Sequence, residues 1–396
     1  MEAYLLDWAN LLLRWLHLIA GIAWIGSSFY FVMLDMSLQP PAKEEDRRRG
    51  VFGELWAVHG GGFYVSQKFM TGPKNEPLSE DLHWTKYESY TTLLSGLALM
   101  ALIYWFGANS YLIDPRVMEL TPAQGIAISI AVLVGGWVVY DGLCRMLLGK
   151  DTLLAALVFV FVMGIDYVLF HVFSARAAFL HVGAMMGTTM VANVYFHIIP
   201  GQQRMVAQIR NGEEVDPTPG VIGKQRSVHN TYFTLPVLFI MISNHYPMTY
   251  SHEHGWLVLG AIMLAGVLVR QFFVLRHKGE WKWWLPASGT VIVVALIFWM
   301  RPQALEVSGS PQVSLGEVRQ VLLQRCVTCH AAQPVQPGFV QPPKGVMLET
   351  VEQVEQHAAK IAETVASGYM PLGNLTGITD PERTLIATWY AQKQNP

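Results

Sequence analysis

The clearest chemistry in the sequence lies in five residues near its end. Residues 326–330 read CVTCH, the C-x-x-C-H spacing with which two thiols bind the vinyl groups of a haem. In that arrangement Cys326 and Cys329 form the covalent links, and His330 supplies one axial nitrogen to the iron. The motif predicts one covalent haem c.

Met370 is the candidate for the second axial ligand of that iron. It stands in the loop GYMPLGN, residues 368–374, where a proline and two glycines would hold the thioether in place. Histidine with methionine raises the reduction potential of a haem and suits electron transfer. His357 is the competing ligand, and core packing is the other common role of a methionine.

The residues after 301 have the composition of a linker followed by a small domain. Gln, Ser, Pro and Gly dominate the linker, 302–313, whereas 314–396 resumes a helical pattern with Ser314 and Asp380 as N-caps. Helices are predicted at 314–325, 351–367 and 380–393. A unit this small needs a staple, which a covalent haem provides. We therefore expect a class I cytochrome c domain.

Residues 1–301 are too apolar for an ordinary soluble protein. The whole sequence is 52% hydrophobic and 14% charged, with a mean hydropathy of +0.31. About eight apolar runs reach the roughly 20 residues that a bilayer requires. They lie near 8–35, 89–107, 123–142, 152–173, 176–199, 229–247, 254–275 and 282–300. The predicted fold is all-α: a polytopic membrane helix bundle followed by the cytochrome c domain. A net charge of −2 gives no field that would attract nucleic acid.

Lysine and arginine alternate between the loops of this bundle. They concentrate after spans 1, 3, 5 and 7, whereas the opposite loops carry only Arg116 and Arg176. By the positive-inside rule the basic loops face the cytoplasm, so both termini face outward. Covalent haem attachment in bacteria takes place on that outer face. The expected location is a bacterial inner membrane, with the cytochrome c domain in the periplasm.

Histidines are common in or beside the predicted spans, where ionisable residues are costly and often functional. Those on the outward half could ligate a b-type haem between helices, or donate hydrogen bonds to neighbouring helices. These candidate ligands are His17, His171, His181 and His245. Those on the inward half are His59, His83, His197, His229 and His277. Asp141 and Asp166 have the same two interpretations, with solvation at a helix end favoured for Asp141.

Two inward segments combine groups that would suit a flat, polar, anionic heterocycle. In 54–69 (ELWAVHGGGFYVSQKF), glycines such as Gly61 permit close backbone approach, and Phe63 and Tyr64 offer planar surfaces. An interfacial amphipathic helix is the alternative for this segment. The other segment, 224–236 (KQRSVHNTYFTLP), supplies polar side chains at the mouth of span 6. They are Arg226, His229, Asn230 and Thr231.

Longer segments resemble a known family. They read LRWLHLIAGIAWIGSSFYFVMLD (13–35), HGGGFY (59–64), VANVYFHIIPGQQRMV (191–206) and HNTYFTLPVLFIMISNHYP (229–247). Together with the tail they resemble the membrane-bound, cytochrome c-linked bacterial urate oxidases. The resemblance implies oxidation of urate to 5-hydroxyisourate in purine breakdown. Electrons would leave through haem c to a soluble or membrane-bound cytochrome c or a terminal oxidase, without hydrogen peroxide.

This resemblance gives the inward residues specific expected roles. Arg226 and Asn230 would bind the ring oxygens and amide edge of urate, alongside Thr231, Gly61, Phe63 and Tyr64. One imidazole would take the proton or activate the water that adds at carbon 5. The candidates for it are His59, His197 and His229.

Two other functions compete with urate oxidation. A quinol-oxidising cytochrome subunit would need paired histidines, and His181 and His197 lie 16 residues apart, about 24 Å of helix. His229 and His245 repeat that interval. A non-catalytic membrane anchor for the cytochrome is the other alternative, although no internal repeat of the transporter kind is evident.

Overall fold

A computed structural model describes residues 2–301, 311–336, 339 and 341–394 of the chain. The predicted linker, 302–313, lies mostly outside the described residues. The buried apolar side chains form two clusters, one between Met100 and Met263 and the other between Val318 and Trp389.

Every predicted span falls on a helix. The helices before residue 301 are α1 (Glu2–Met36), α2 (Glu44–Arg49), α3 (Tyr87–Met100), α4 (Pro122–Met146), α5 (Asp151–Phe170), α6 (Ala175–Asn193), α7 (Ile199–Arg210), α8 (Thr218–Ser243), α9 (Pro247–Tyr250), α10 (Gly255–His277) and α11 (Trp284–Trp299). Three π-helical turns adjoin them at Ala101–Trp105, Ala108–Leu112 and Val194–Ile198.

Five helical segments are long and apolar enough to cross a bilayer. They are Tyr4–Met36, Pro122–Met146, Asp151–Phe170, Ala175–Arg210 and Gly255–His277. The other three predicted spans are helical but fall short: α3 has 14 regular residues, α11 has 16, and α8 begins with a polar stretch. The length and composition of these helices are compatible with a membrane protein.

A β-hairpin corrects the all-α prediction. Strands β1 (Val51–His59) and β2 (Gly62–Phe69) pair antiparallel, with His59 opposite Gly62. Gly60 and Gly61 both have positive φ, +58° and +82°, as a tight hairpin turn requires. Residues 54–69 are therefore not an interfacial helix. Valine and aromatic residues on both sides of a glycine pair favour a hairpin, a signal that the amphipathic interpretation overlooked.

Helix α6 lies at the centre of the bundle, packed against α4, α5 and α8. Close approach depends on small residues, since a Cβ at Gly183 would lie 2.6 Å from Ile240. The antiparallel helices give the bundle two ends. We call the end with Arg145 and Arg210 the basic end, and the end that contacts residues 368–373 the interface end.

The C-terminal region is helical, with α12 (Leu315–Arg325), α13 (Val351–Gln356), α14 (Ala358–Ala366) and α15 (Asp380–Gln394). The Ser314 cap is confirmed: its hydroxyl accepts from Glu317 N, and the Glu317 carboxylate accepts from Ser314 N. The predicted helix 351–367 is broken at His357. Asp380 is the first helical residue rather than the N-cap, because Thr379 and Glu382 form the reciprocal cap.

Candidate functional site

A buried polar network lies at the basic end of the bundle, between α4, α6 and α8. At its centre Arg226 Nη2 donates to Asp141 Oδ1 at 2.7 Å, and only 2% of the Arg226 side chain is exposed. Arg145, on the solvent side, donates to the other carboxylate oxygen at 2.7 Å. Asp141 is thus a buried ion-pair partner and not the solvated helix end that was predicted.

Amides extend this network toward the centre of the bundle. Arg226 Nη1 donates to Asn193 Oδ1 at 3.3 Å, and Asn193 Nδ2 donates to Asn230 Oδ1 at 3.0 Å and to the Tyr140 hydroxyl at 3.1 Å. Asn230 in turn donates to the Met190 carbonyl at 3.0 Å. The guanidinium also lies 5.1 Å from the Tyr140 ring centroid, a cation–π distance.

Two histidines border the network. His197 lies on the π-helical turn Val194–Ile198, a feature that often marks functional sites. Its Nε2 is 2.6 Å from Asp141 Oδ1, but the geometry is poor for a ring N–H, so the contact is electrostatic rather than a well-aligned hydrogen bond. His229 Nδ1 lies 2.8 Å from the Tyr140 hydroxyl.

The structure therefore brings together Arg226, Asn230, His197 and His229 from the predicted set. Thr231 is buried beside them, but its hydroxyl donates to Val228 within its own helix. Sequence reasoning missed Asn193 and Tyr140 and misjudged Asp141. Ionisable or amide residues within apolar spans were the available signal.

The hairpin residues of the predicted site lie elsewhere. His59 and Gly61 are at the exposed hairpin tip, and Phe63 and Tyr64 have 78% and 55% of their surface exposed. No hydrogen bond or aromatic contact joins them to the network in the described part of the chain. The hairpin instead leaves an apolar surface open to its surroundings.

The outward histidines differ in burial and in hydrogen-bond partners. His181 is fully buried with both nitrogens engaged: Nδ1 donates to Ala177 O at 2.8 Å, and Nε2 lies 2.7 Å from Ser129 Oγ. His17 Nδ1 donates to Thr92 O at 3.0 Å. His171 and His245 are exposed. Hydrogen bonding between or within helices accounts for His17 and His181.

The C-terminal region has side chains that could hold a covalent haem. Cys326 and Cys329 lie in the turn that follows α12, and both are free thiols. His330 Nδ1 donates to the Val346 carbonyl at 2.9 Å, which leaves Nε2 available, as a metal-ligating histidine requires. Met370 packs against the cluster that contains Cys326. Burial raises the pKa of the Cys326 thiol to about 12.

Arg383 positions the loop that carries Met370. Its Nη1 donates to Met370 O at 2.8 Å and to Val365 O at 2.7 Å, and only 8% of the residue is exposed. Separately, no group of three or more His, Cys, Asp or Glu side chains among the described residues is arranged to hold a metal ion. Such a group contains no methionine sulfur, so its absence does not bear on a site formed by His330 and Met370.

Residues 3–301 match the family model described as urate oxidase, N-terminal. No curated protein and no solved structure is significantly similar to the chain. The matched residues include the whole bundle and the buried network, and they span well over half of the sequence. The chain therefore belongs to the urate oxidase N-terminal family.

Proposed function

We propose that the protein is a membrane urate oxidoreductase that converts urate to 5-hydroxyisourate in purine catabolism and delivers the electrons to a haem c in its own C-terminal domain. The observation that carries the proposal is the family match over residues 3–301, which contains a buried arginine–amide–histidine network. The reaction consumes urate and water and releases two protons and two electrons. Hydrogen peroxide is not a product.

In this proposal the network holds urate and manages its protons. Arg226 keeps one buried donor, Nε, for which the described part of the chain supplies no partner, so its guanidinium can still bind a ring oxygen of a monoanion. Asn230 would read the amide edge of the ring. His197 or His229 would accept the proton that the oxidation releases. Asp141 would keep the guanidinium and the His197 ring in place.

The C-terminal residues would hold the prosthetic group. Cys326 and Cys329 would bind it covalently, with His330 and Met370 as axial ligands, and it would supply a one-electron acceptor. The bond from His330 Nδ1 to Val346 fixes the ring, and Arg383 fixes the opposite loop. A soluble or membrane-bound cytochrome c or a terminal oxidase would be the next acceptor.

The proposal places the chain in a bacterial inner membrane with about eight spans, because loop charge alternates and each predicted span is helical. Both termini would face the periplasm. The quinol-oxidising alternative gains no support from the histidines, because His181 has no free nitrogen and His245 is exposed. A b-type haem is accordingly not part of the proposal.

The decisive experiment is anaerobic addition of urate to the haem-loaded, ferric protein in detergent. We expect the haem to become ferrous, with one 5-hydroxyisourate formed for every two electrons. Arg226→Gln should raise the KM for urate roughly tenfold or more, because a charge-assisted hydrogen bond is lost. A ferric haem that persists in the wild-type protein with urate would refute the function.

A matched control is Lys224→Gln, which removes a positive charge from the same helix. Lys224 is paired with Asp35 at 2.9 Å, and its side chain is 53% exposed. Its loss should leave the KM for urate within about twofold, since an exposed pair contributes little. If both substitutions raised the KM for urate equally, Arg226 would act only through its positive charge and not through a specific hydrogen bond.

A further inference from the structure

A cavity of about 290 Å³ lies where the C-terminal region meets the interface end of the bundle. Both regions line it: the bundle contributes Tyr111, Arg176 and Tyr250, and the C-terminal region contributes Gly368 and Tyr369. The volume is at the small end for ligand pockets and suits a compact molecule of one or two fused rings. This cavity is separate from the buried network at the basic end.

Positive charge in the cavity is not balanced by a carboxylate. Arg176 Nε donates to Asn244 Oδ1 at 3.0 Å, and no ion pair of Arg176 is found in the described part of the chain. Of the two acids that line the cavity, Asp114 is paired with Arg116 at 2.6 Å, and Glu253 is largely exposed. A partly buried guanidinium without a counter-ion favours an anion beside it.

The remaining walls are aromatic. The Arg176 guanidinium lies 5.4 Å from the ring centroid of Tyr111, and the rings of Tyr250 and Tyr369 are 6.1 Å apart. Tyr250 is 1% exposed, and within the described residues its hydroxyl has no hydrogen-bond partner although the residue lines the cavity. A buried hydroxyl without a partner is costly, so it is a donor for a bound oxygen.

The cavity depends on a close fit between the two regions. The turn Leu372–Asn374 packs against the π-helical turn Ala108–Leu112. A Cβ at Gly373 would lie 3.0 Å from the carbonyl oxygens of Asn109 and Ile113, and its φ is +53°. Only glycine fits there. Tyr369, which forms part of the wall, is adjacent in sequence to Met370.

We propose that this interface cavity is a binding site for a planar organic anion of the urate type, with Arg176 as its counter-charge and Tyr250 as a hydrogen-bond donor. The ligand would lie beside the loop of the predicted axial ligand Met370. The proposal rests on the proposed function for the chemical class of the anion. It adds a site remote from the buried network.

The test measures binding without turnover. Haem-loaded full-length protein is first reduced with dithionite, and labelled urate is then titrated by equilibrium dialysis under argon. We expect Arg176→Gln to weaken urate binding at one site roughly tenfold or more, and Tyr250→Phe to weaken it less. Arg176→Lys, which keeps the charge, should recover part of the affinity. Allantoin, which is neutral and not planar, should not bind there.

A second pair of variants tests the interface wall without changing a proposed ligand contact. Gly373→Ala should separate the two regions, weaken urate binding and speed hydrogen exchange in residues 369–376. Gly345→Ala is the matched control, because Gly345 also has positive φ, +70°, but its Cβ would meet nothing within 4 Å. The control should change neither readout.

The outcomes separate this inference from the function. If folded Arg176→Gln and Gly373→Ala proteins bind urate with wild-type affinity and stoichiometry, the cavity is not an anion site, whatever the wild-type haem does. If wild-type haem stays ferric with urate but Arg176→Gln still weakens urate binding, the function fails and the site stands.

Discussion

Two arginines at opposite ends of the bundle differ in what surrounds them. Arg226 at the basic end contacts a carboxylate, an amide and an aromatic face, so most of its charge is compensated by the protein. Arg176 at the interface end has one hydrogen bond to an amide and an aromatic neighbour beside an open cavity. The first site has a geometry set by the chain itself, whereas the second is complete only with an anion bound. Substitutions at Arg226 should therefore affect both folding and urate affinity, whereas substitutions at Arg176 should affect ligand affinity alone.

The largest expected effect is the loss of electron transfer out of the protein while both arginine sites still bind urate. Met370→Ala should abolish urate-driven reduction of an external cytochrome c, because the haem iron of the proposed function would lose the thioether that raises its potential. Urate binding to the reduced protein should be unchanged, since neither arginine contacts Met370. Stopped-flow spectroscopy and equilibrium dialysis measure the two quantities. Loss of urate binding in this variant would contradict the proposal that urate binds apart from the haem.

Asp141→Asn should break the basic-end network. It removes the counter-charge of buried Arg226 and should lower the free energy of unfolding by about 3 to 5 kcal/mol. Arg145→Gln is the control on the same carboxylate. Because 70% of the Arg145 side chain is exposed, its loss should cost at most about 1 kcal/mol. Denaturation in detergent gives both values, and equal losses would mean that Asp141 pairs mainly with Arg145.

Arg383→Gln should loosen the loop 368–374, which forms part of the cavity wall. The substitution removes donors to Met370 O and Val365 O, and each buried charged hydrogen bond contributes about 1.5 to 3 kcal/mol. We expect a less stable C-terminal region and faster hydrogen exchange in residues 365–374, with the basic-end network unaffected. Unchanged exchange would show that the interface with the bundle, and not Arg383, holds this loop.

The smallest expected effect concerns the pH dependence of stability and involves neither Arg226 nor Arg176. Burial alone would raise the pKa of Glu382, but the bonds from Thr379 and Arg325 hold that pKa below its usual range. This stabilisation is present above the unfolded pKa of about 4.3 and is lost as pH falls through the folded pKa. Glu382→Gln should therefore lower stability at pH 7 by about 1 kcal/mol or less and flatten its decline below pH 5. Acid titration of the unfolding temperature measures both, and an unchanged acid limb would exclude this role.

The sequence predicted some elements well because their causes are local. The Ser314–Glu317 cap and the stripe of Ile386 and Trp389 follow from spacing along one helix, and both are present. The N-terminus of α15 was misplaced by one residue because Asp380 and Thr379 are both good caps, and only the reciprocal bond with Glu382 distinguishes them. The break at His357 has no strong sequence signal.

The candidate site was predictable only in part. Arg226, Asn230 and His229 stand close together on one helix, so their proximity follows from the sequence. Asp141 and Asn193 join them from other helices, and no single-chain pattern pairs residues so far apart in sequence. The hairpin residues Phe63 and Tyr64 were grouped with the site by chemistry, but the strand geometry carries them away from it.

The sequence by itself determined the helical composition, the apolar runs and the C-x-x-C-H motif, because each depends on residue types at short, fixed spacing. Only the tertiary structure decided which buried charges meet, because that depends on how α4, α6 and α8 pack across the bundle. It also decided that the loop of Met370 closes a cavity against Arg176. The physical reason is that the energy of a buried charge depends on what lies within a few ångströms in space, which helix periodicity does not specify.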